Sequence, residues 1–402
     1  MKILVVCQYF YPEQFRVNDI CFELVKDGHN VTVLTGLPNY PSGVVDNRYK
    51  AFKNRTEIIN GVKVIRSWLL GRGKGSLQLA LNYVSFAISS TLKAMFIKRD
   101  FDIILVYQLS PVTMALPGIL LKKLAKKPLI LYCHDLWPES ITSAGVSTEG
   151  FLYLVLLKLC KWIYRSADEI FISSQLFKEY FCNKLLIQSP ITHLPVYAEA
   201  LFEGIGSRVR QDDSINLLFA GNIGEMQSVE TIILAANELK DAKHLFFHLV
   251  GDGSSRERCE ELAGQLGLLN VIFHGQHPIT EMPKFYEMAD AFLITLKANK
   301  IISYTLPNKI QSYMAARKPI IGAIDGETQR VIIEANCGLC VTAENYLKLA
   351  EVIRQFVVEK DKHSFYGRNA RDYYDRNFSK EKYMKRLKEL LKSAGGVNSV
   401  QR

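Results

Sequence analysis

Five short stretches carry most of the side chains whose types and spacing can do chemistry. "YCHDLWPES" (residues 132–140) puts His134, Asp135 and Glu139 within nine positions. A histidine beside two carboxylates can orient hydroxyls or move protons; the same residues can equally cap and brace a turn shaped by Trp137 and Pro138. "FAGNIGEMQ" (219–227) has Gly221 and Gly224 around a tight strand-to-helix turn, where backbone N–H groups can approach a phosphate, or where glycine only allows packing. "LVGDGSSRE" (249–257) is a second glycine turn, with Ser254 or Ser255 as N-cap and Asp252 either facing a ligand or bracing the turn. "FHGQHPITEMP" (273–283) offers Gly275, Gln276 and His277 as a flat pocket for a base, the histidine being an ordinary loop residue otherwise. "YTLPNKIQSYMAARKPIIG" (304–322) sets Pro307 and Lys309 at the start of a helix. The helix dipole disfavours a cation there, and an anion held at the same place offsets the penalty. A bound phosphate therefore accounts for Lys309, the competing reading being a solvated lysine. Tyr313 and Met314 read as core. Nearer the N-terminus, "QYFYPEQFR" (8–16) offers Arg16 to an anion, and "LPNYPSG" (37–43) offers Tyr40 to a sugar face.

Each stretch follows an apolar run of strand length. "KILVVCQ", "NVTVLTG", "VKVIRSW", "DIILVYQ", "PLILYCHD" and "DEIFISS" in the first half, and "INLLFAGN", "FFHLVGDG", "NVIFHGQ", "AFLITL", "KPIIGAI" and "GLCVTA" in the second, are apolar throughout rather than alternating. That favours parallel strands covered on both faces. Helical patterns separate them, for example 17–27 and 76–97, and a last one runs over 380–392. The chain predicts an α/β protein with two doubly wound sheets. Proline, glycine and charge interrupt the rhythm over about 190–213, which reads as a hinge. The expected domains are 1–195, 196–380 and a final helix, 381–402, that returns to the first domain. Ligands of such sheets bind outside the carboxyl ends of the strands, where all five stretches lie.

The chain has 402 residues, 48% hydrophobic and 22% charged, with a net charge of +10. Two globular domains are expected and disorder is excluded. Residues 1–195 hold 23 Lys and Arg against 14 Asp and Glu, and the rest 27 against 26, so the excess lies in the first half. A basic half suits nucleic acid, an anionic membrane or a phosphorylated substrate; the stacked aromatic-basic motifs of nucleic-acid modules are missing. No apolar run reaches 18 residues, and the first one reads as a buried strand rather than a signal peptide. The eight cysteines form no framework, and Cys337 and Cys340 read as core or incidental thiols rather than a redox or metal pair. A cytoplasmic protein is expected.

The stretches "YFYPE", "ELVKDGHNVTVLTGLPNYPSG", "HDLWPES", "AGNIGEMQ", "LVGDGSSRE", "LPNKIQSYMAARKPII" and the tail "YGRNARDYYDRNFS", in this order and over nearly the whole chain, resemble the family 4 retaining glycosyltransferases of GT-B type. Within them the chain resembles the bacterial O-antigen and capsule enzymes, in particular the N-acetyl-L-fucosamine (L-fucosamine) transferase branch. The resemblance implies two facing Rossmann-like domains with a cleft between them. It implies a nucleotide-sugar donor, UDP-linked, held by the second domain, and a polyprenyl-diphosphate-linked saccharide acceptor facing the first. Retention implies a front-face mechanism in which the leaving diphosphate helps deprotonate the acceptor, without the carboxylate pair of glycoside hydrolases. No metal and no cofactor are implied, because cationic side chains can neutralise the diphosphate.

Carried onto this chain, the resemblance gives Arg16, Gly221, Asn222, Gly224, Gln227 and Lys309 to the donor diphosphate. It gives Asp252, Gly253, Gln276, His277, Asn308, Gln311 and Ser312 to base and ribose. Tyr304, Thr305, Leu306 and Pro307 fall to the donor sugar, and His134, Asp135 and Glu139 to catalysis. The chain departs from the family at several points. Gln227 stands where a basic residue is usual, and Tyr304 and Ser312 where two glutamates are usual, leaving Gln311 or Asn308 for the ribose. Arg16 stands near the place of the first loop's glycines, and Arg317 replaces a glycine after the Ala-Ala pair. The first half also carries the apolar-basic segments "SLQLALNYVSFAISSTLKAMFIKR", "LPGILLKKLAKKPL" and "GFLYLVLLKLCKWIYR", which suit either sheet-packing helices or peripheral contact with the cytoplasmic leaflet. Two other functions fit the same plan: a nucleotide-sugar 2-epimerase, which needs no lipid acceptor, and a non-catalytic nucleotide-sugar-binding protein.

Overall fold

The computed structural model describes residues 1–73, 75–144, 146–206 and 213–396. The chain forms two Rossmann-like α/β units, one of Met1–Leu194 joined by the chain from Met384 onward, the other of Pro195–Tyr383.

In the first unit the strands are β1 (Lys2–Val6), β2 (Asn30–Thr35), β3 (Thr56–Ile59), β4 (Val62–Arg66), β5 (Ile103–Gln108), β6 (Leu129–Cys133), β7 (Glu169–Ile172) and β8 (Ile191–His193). Between them run α1 (Arg16–Lys26), α2 (Ser76–Ala94), α3 (Leu116–Ala125), α4 (Phe151–Arg165) and the single turn α5 (Phe177–Glu179). The sheet order is β3-β4-β2-β1-β5-β6-β7-β8. Every pairing is parallel except β3 with β4. The winding reverses between β1 and β5, which opens a crevice at their carboxyl ends.

Two strands lie where the sequence reading has none. Thr56–Ile59 pairs antiparallel with β4 through Asn60 and Gly61, both at positive φ; an Asn-Gly pair is the strongest short hairpin signal. Ile191–His193 falls inside the stretch read as a hinge, yet pairs parallel with β7. A three-residue edge strand is too short to show a period. Residues 207–212 of that hinge lie outside the described residues.

The second unit's sheet, in the order β11-β10-β9-β12-β13-β14, is parallel throughout. Its strands are β9 (Ile215–Ala220), β10 (Leu245–Val250), β11 (Val271–Gly275), β12 (Ala291–Thr295), β13 (Ile320–Ala323) and β14 (Gly338–Val341). Its helices are α6 (Glu230–Asn237), α7 (Arg256–Gln265), α8 (Met282–Met288), α9 (Lys309–Ala315), α10 (Glu327–Ala335), α11 (Tyr346–Val358) and α12 (Lys360–Asn377). Along β9 successive side chains enter different cores: Leu218 and Ala220 join Ile310, Tyr313 and Met314 of α9, whereas Leu217 and Phe219 join Ile232 and Ile353 of α6 and α11. Burial on both faces is why these strands read as unbroken apolar runs. Here the winding reverses between β9 and β12. The last helix, α13 (Lys380–Ala394), lies with the first unit from Met384 on, where Lys388 meets Asp27 at 2.8 Å.

Candidate functional site

The loops after β9 and β10 meet backbone to backbone at the second unit's switch point. Ile223 donates its amide to the Asp252 carbonyl at 2.9 Å, and Ser255 donates to the Ile223 carbonyl at 3.0 Å. Gly251 has φ +145°, and a Cβ there would meet the Gly221 carbonyl oxygen at 1.8 Å. Gly221 itself has φ +139°, and a Cβ on it would fall 2.9 Å from Nζ of Lys309. Glycine is required at both places by close approach and by backbone conformation.

Lys309 is the most unusual side chain of this unit. Its Nζ is buried with no hydrogen-bond partner among the described residues, 3.8 Å from the centre of the Phe219 ring. Burial pulls its pKa down to about 7, because a charged amine without a counter-ion is disfavoured away from water. α9 has only seven residues, too few for a strong dipole, and Pro307 precedes it rather than forming its first turn. What marks Lys309 is a buried amine beneath a glycine backbone. Asn222 and Gln227 face each other, the Asn222 amide donating to Oε1 of Gln227 at 2.8 Å. Gly224 lies against both side chains. Tyr313 fixes the end of β9, its hydroxyl accepting from the Ala220 amide at 3.0 Å.

Several residues given to base, ribose or sugar are engaged elsewhere. His277 uses both ring nitrogens, with Glu281 at 3.0 Å and the His274 carbonyl at 3.1 Å, and its ring lies on Phe285. Asp252 accepts from the Gly253 amide at 2.8 Å, the turn-bracing role. Ser255 takes the N-cap position of α7 but makes no side-chain cap bond. Ser312 is buried, donating to the Lys309 carbonyl and meeting the Tyr286 hydroxyl at 2.9 Å, and Leu306 is core. Gln311 is buried too, whereas Asn308 and Gln276 are exposed and Tyr304, Thr305 and Pro307 are half-buried. Arg317, which sequence alone leaves unexplained, has φ +57° just after α9; that backbone favours the glycine it replaces.

In the first unit His134 follows β6, its ring between Tyr107 and Tyr132, each 4.1 Å away centre to centre. Its Nε2 is buried without a partner among the described residues, and burial lowers its pKa to about 3. It is a neutral imidazole, fit to hydrogen-bond and ill suited to carry a proton near pH 7. Arg16 opens α1 close enough to Tyr107 that its charge opposes the rise burial gives that hydroxyl's pKa. Asp135 is raised by burial and opposed by hydrogen bonds from Ser110, Ser140 and Trp137; Ser110 in turn accepts from the Trp137 indole at 2.9 Å. Glu139 points away from a catalytic role: its buried carboxylate takes Lys184 and the Tyr153 hydroxyl, both at 2.6 Å.

Sequence reasoning missed Glu13. Its buried carboxylate accepts the amides of Asn39 and Tyr40, which holds the "LPNYPSG" loop. Tyr9, Phe15 and Tyr40 cluster there, and Arg72 lies 5.6 Å over Tyr40. The stretch "YFYPE" is where the sequence carries Glu13.

Residues 15–195 match the family model described as Glycosyltransferase Family 4, and residues 205–373 the one described as Glycosyl transferases group 1. WcaI of Escherichia coli (strain K12), named for colanic acid biosynthesis and glycosyl transfer, is 27% identical over 410 residues, covering 96% of this chain and 98% of its own. Among solved structures, sucrose-phosphate synthase from Thermosynechococcus elongatus superposes with a TM-score of 0.79 at 16% identity, over 99% of this chain and 100% of its own. Anabaena HepE in complex with UDP and glucose superposes at 0.70 and 16% identity, over 98% of this chain and 100% of its own. Both structures share the GT-B fold.

Proposed function

We propose that the chain, whose residues 15–195 and 205–373 match two glycosyltransferase family models, is a GT-B glycosyltransferase that moves a sugar from a UDP donor, with retention, onto a polyprenyl-diphosphate-linked saccharide in surface polysaccharide assembly. The observation that carries the donor half is Lys309, a buried amine with no hydrogen-bond partner among the described residues, beneath Gly221 at the β9/β12 switch point. A diphosphate supplies the negative charge this amine lacks, and a cation placed where charge develops on a leaving group stabilises the transition state. Asn222, Gly224 and Gln227 complete that loop. The crystallised complex of the HepE neighbour with UDP and glucose supports a nucleotide donor. N-acetyl-L-fucosamine is the donor sugar we favour, on the resemblance of the motifs alone.

The chemistry needs no carboxylate pair. Asp135 and Glu139 are committed to hydroxyl and lysine partners, which suits a front-face displacement where the leaving diphosphate takes the acceptor's proton. His134, held neutral, would orient the acceptor hydroxyl. No metal has a role in this reading.

For the acceptor side we propose contact with the inner face of the plasma membrane. No helix among the described residues is long and apolar enough to cross a membrane. On α2, however, Leu77, Leu81, Val84, Ile88 and Leu92 stand exposed at helical spacing, and on α4 so do Phe151, Leu154 and Val155. Lysines and arginines accompany them, a pattern that suits an anionic bilayer surface.

The test is a panel of UDP-sugars, including UDP-N-acetyl-L-fucosamine, with a polyprenyl-diphosphate N-acetylhexosamine, read by mass spectrometry. One donor should add one sugar to the lipid, and Lys309→Ala should abolish it. Release of an epimerised UDP-sugar without transfer would make the protein an isomerase. Binding of a UDP-sugar without turnover would make it a binding protein.

A further inference from the structure

We propose that binding of a nucleoside diphosphate draws a proton onto Lys309, so that filling the donor site and charging this amine are one event. The inference rests on the donor reading above and goes beyond it.

Nζ of Lys309 is walled by the Phe219 ring of β9 on one side and by Gly221 on another. The charged and titratable groups on the surrounding elements face elsewhere. The Tyr313 hydroxyl of α9 is bonded to Ala220, and Tyr286 of α8 turns to Ser312. Asp252, in the loop after β10, turns to the Gly253 amide and lies 3.9 Å from Arg256 of α7. Burial is accordingly the one cause that moves Lys309, to about 7, and no neighbouring charge opposes it.

A buried amine in that position has two ways to avoid an uncompensated charge: it stays neutral, or it finds an anion. Near neutral pH the empty site therefore holds a mixture of amine and ammonium. A diphosphate favours the charged form, so binding raises the pKa and takes up a proton from solution. The sign follows. Well below pH 7 the amine is already charged and uptake vanishes; above it, uptake approaches one proton per site until the raised pKa is passed. For a group at 7, uptake should be about 0.9 proton at pH 8 and about 0.1 at pH 6. At pH 8 the terminal phosphate of UDP, which titrates near 6, adds nothing to the count. With Gln227 where a basic residue is usual, the Asn222–Gln227 loop has no cation of its own; its one charged side chain, Glu225, is paired with Lys297 at 2.6 Å.

The experiment is calorimetric titration of the full-length protein with UDP at pH 8 in two buffers of different ionisation enthalpy, repeated at pH 6 and with Lys309→Met and Lys309→Arg. The expected result is uptake of close to one proton at pH 8 and none there in either variant, and at pH 6 no uptake beyond the proton release from the half-protonated terminal phosphate that the variants also show, with binding retained better by Lys309→Arg. UDP binding at pH 8 without proton uptake overturns the inference and leaves the donor reading standing. Uptake that persists in a folded Lys309 variant also overturns it. Failure of UDP to bind at either pH overturns the donor reading itself.

Discussion

The Asn39 amide donates to Oε1 of Glu13 at 2.8 Å, and the Tyr40 amide reaches the same oxygen at 2.7 Å. One buried carboxylate thus ties the loop after β2 to the loop after β1. Burial raises its pKa to about 7, against an ordinary 4.5, with the two amides opposing. Between those values the folded protein holds the proton that the unfolded chain has lost, so stability falls as pH rises from about 4.5 to about 7. Glu13→Gln keeps an oxygen for both amides and removes the titration. Wild type should lose about 3 kcal/mol more than the variant between pH 4.5 and pH 8 in urea unfolding. Parallel pH profiles for the two proteins would exclude this titration.

Glu139 makes a different case. With Lys184 and Tyr153 both at 2.6 Å, its carboxylate holds α4 and the segment after α5 against the 3-10 turn that it begins. Lys184→Met should destabilise the protein by about 2 kcal/mol; a buried ion pair broken on one side loses more, but this lysine is 40% exposed. Donor turnover by the folded fraction should stay within about threefold of wild type, a change of well under 1 kcal/mol in barrier. A fall of about a hundredfold or more with unchanged stability would restore Glu139 and its partner to the catalytic machinery.

Gly221→Ala adds a methyl group at φ +139° and 2.9 Å from Nζ of Lys309. It should weaken UDP binding at least about tenfold, equivalent to 1.4 kcal/mol, by filling the approach to the amine. Gly264→Ala, in α7 with nothing within 4 Å of its added Cβ, is the control and should bind UDP as wild type does.

Arg317 at φ +57° is exposed and takes a backbone conformation that glycine adopts freely. Arg317→Gly should stabilise the protein by about 1 kcal/mol, seen as a higher unfolding midpoint in urea at unchanged slope. A lower midpoint would mean that the guanidinium holds the turn.

What could be read from the sequence divides along physical lines. Strands buried on both faces, such as Leu217–Ala220, announce themselves as apolar runs, and glycines such as Gly221 and Gly251 mark the strand ends they leave. Lys309 was legible as an odd cation after a strand, though for the wrong local reason: burial under Gly221 isolates it, not the dipole of a seven-residue helix. The fates of Glu139 and Ser312 were not legible, because their partners Lys184 and Tyr286 lie 45 and 26 residues away. Glu13 was hidden for the same reason, its partners being backbone amides 26 and 27 residues on. The β3–β4 hairpin, by contrast, was written locally in Asn60 and Gly61.

Whether Lys309 meets the donor's phosphates is read from the UDP affinity of wild type and Lys309→Ala at pH 7, with far-ultraviolet circular dichroism to confirm that both are folded. The Kd should rise at least about tenfold in the variant, a loss of 1.4 kcal/mol or more. Equal affinity in two folded proteins would contradict it and send the diphosphate elsewhere.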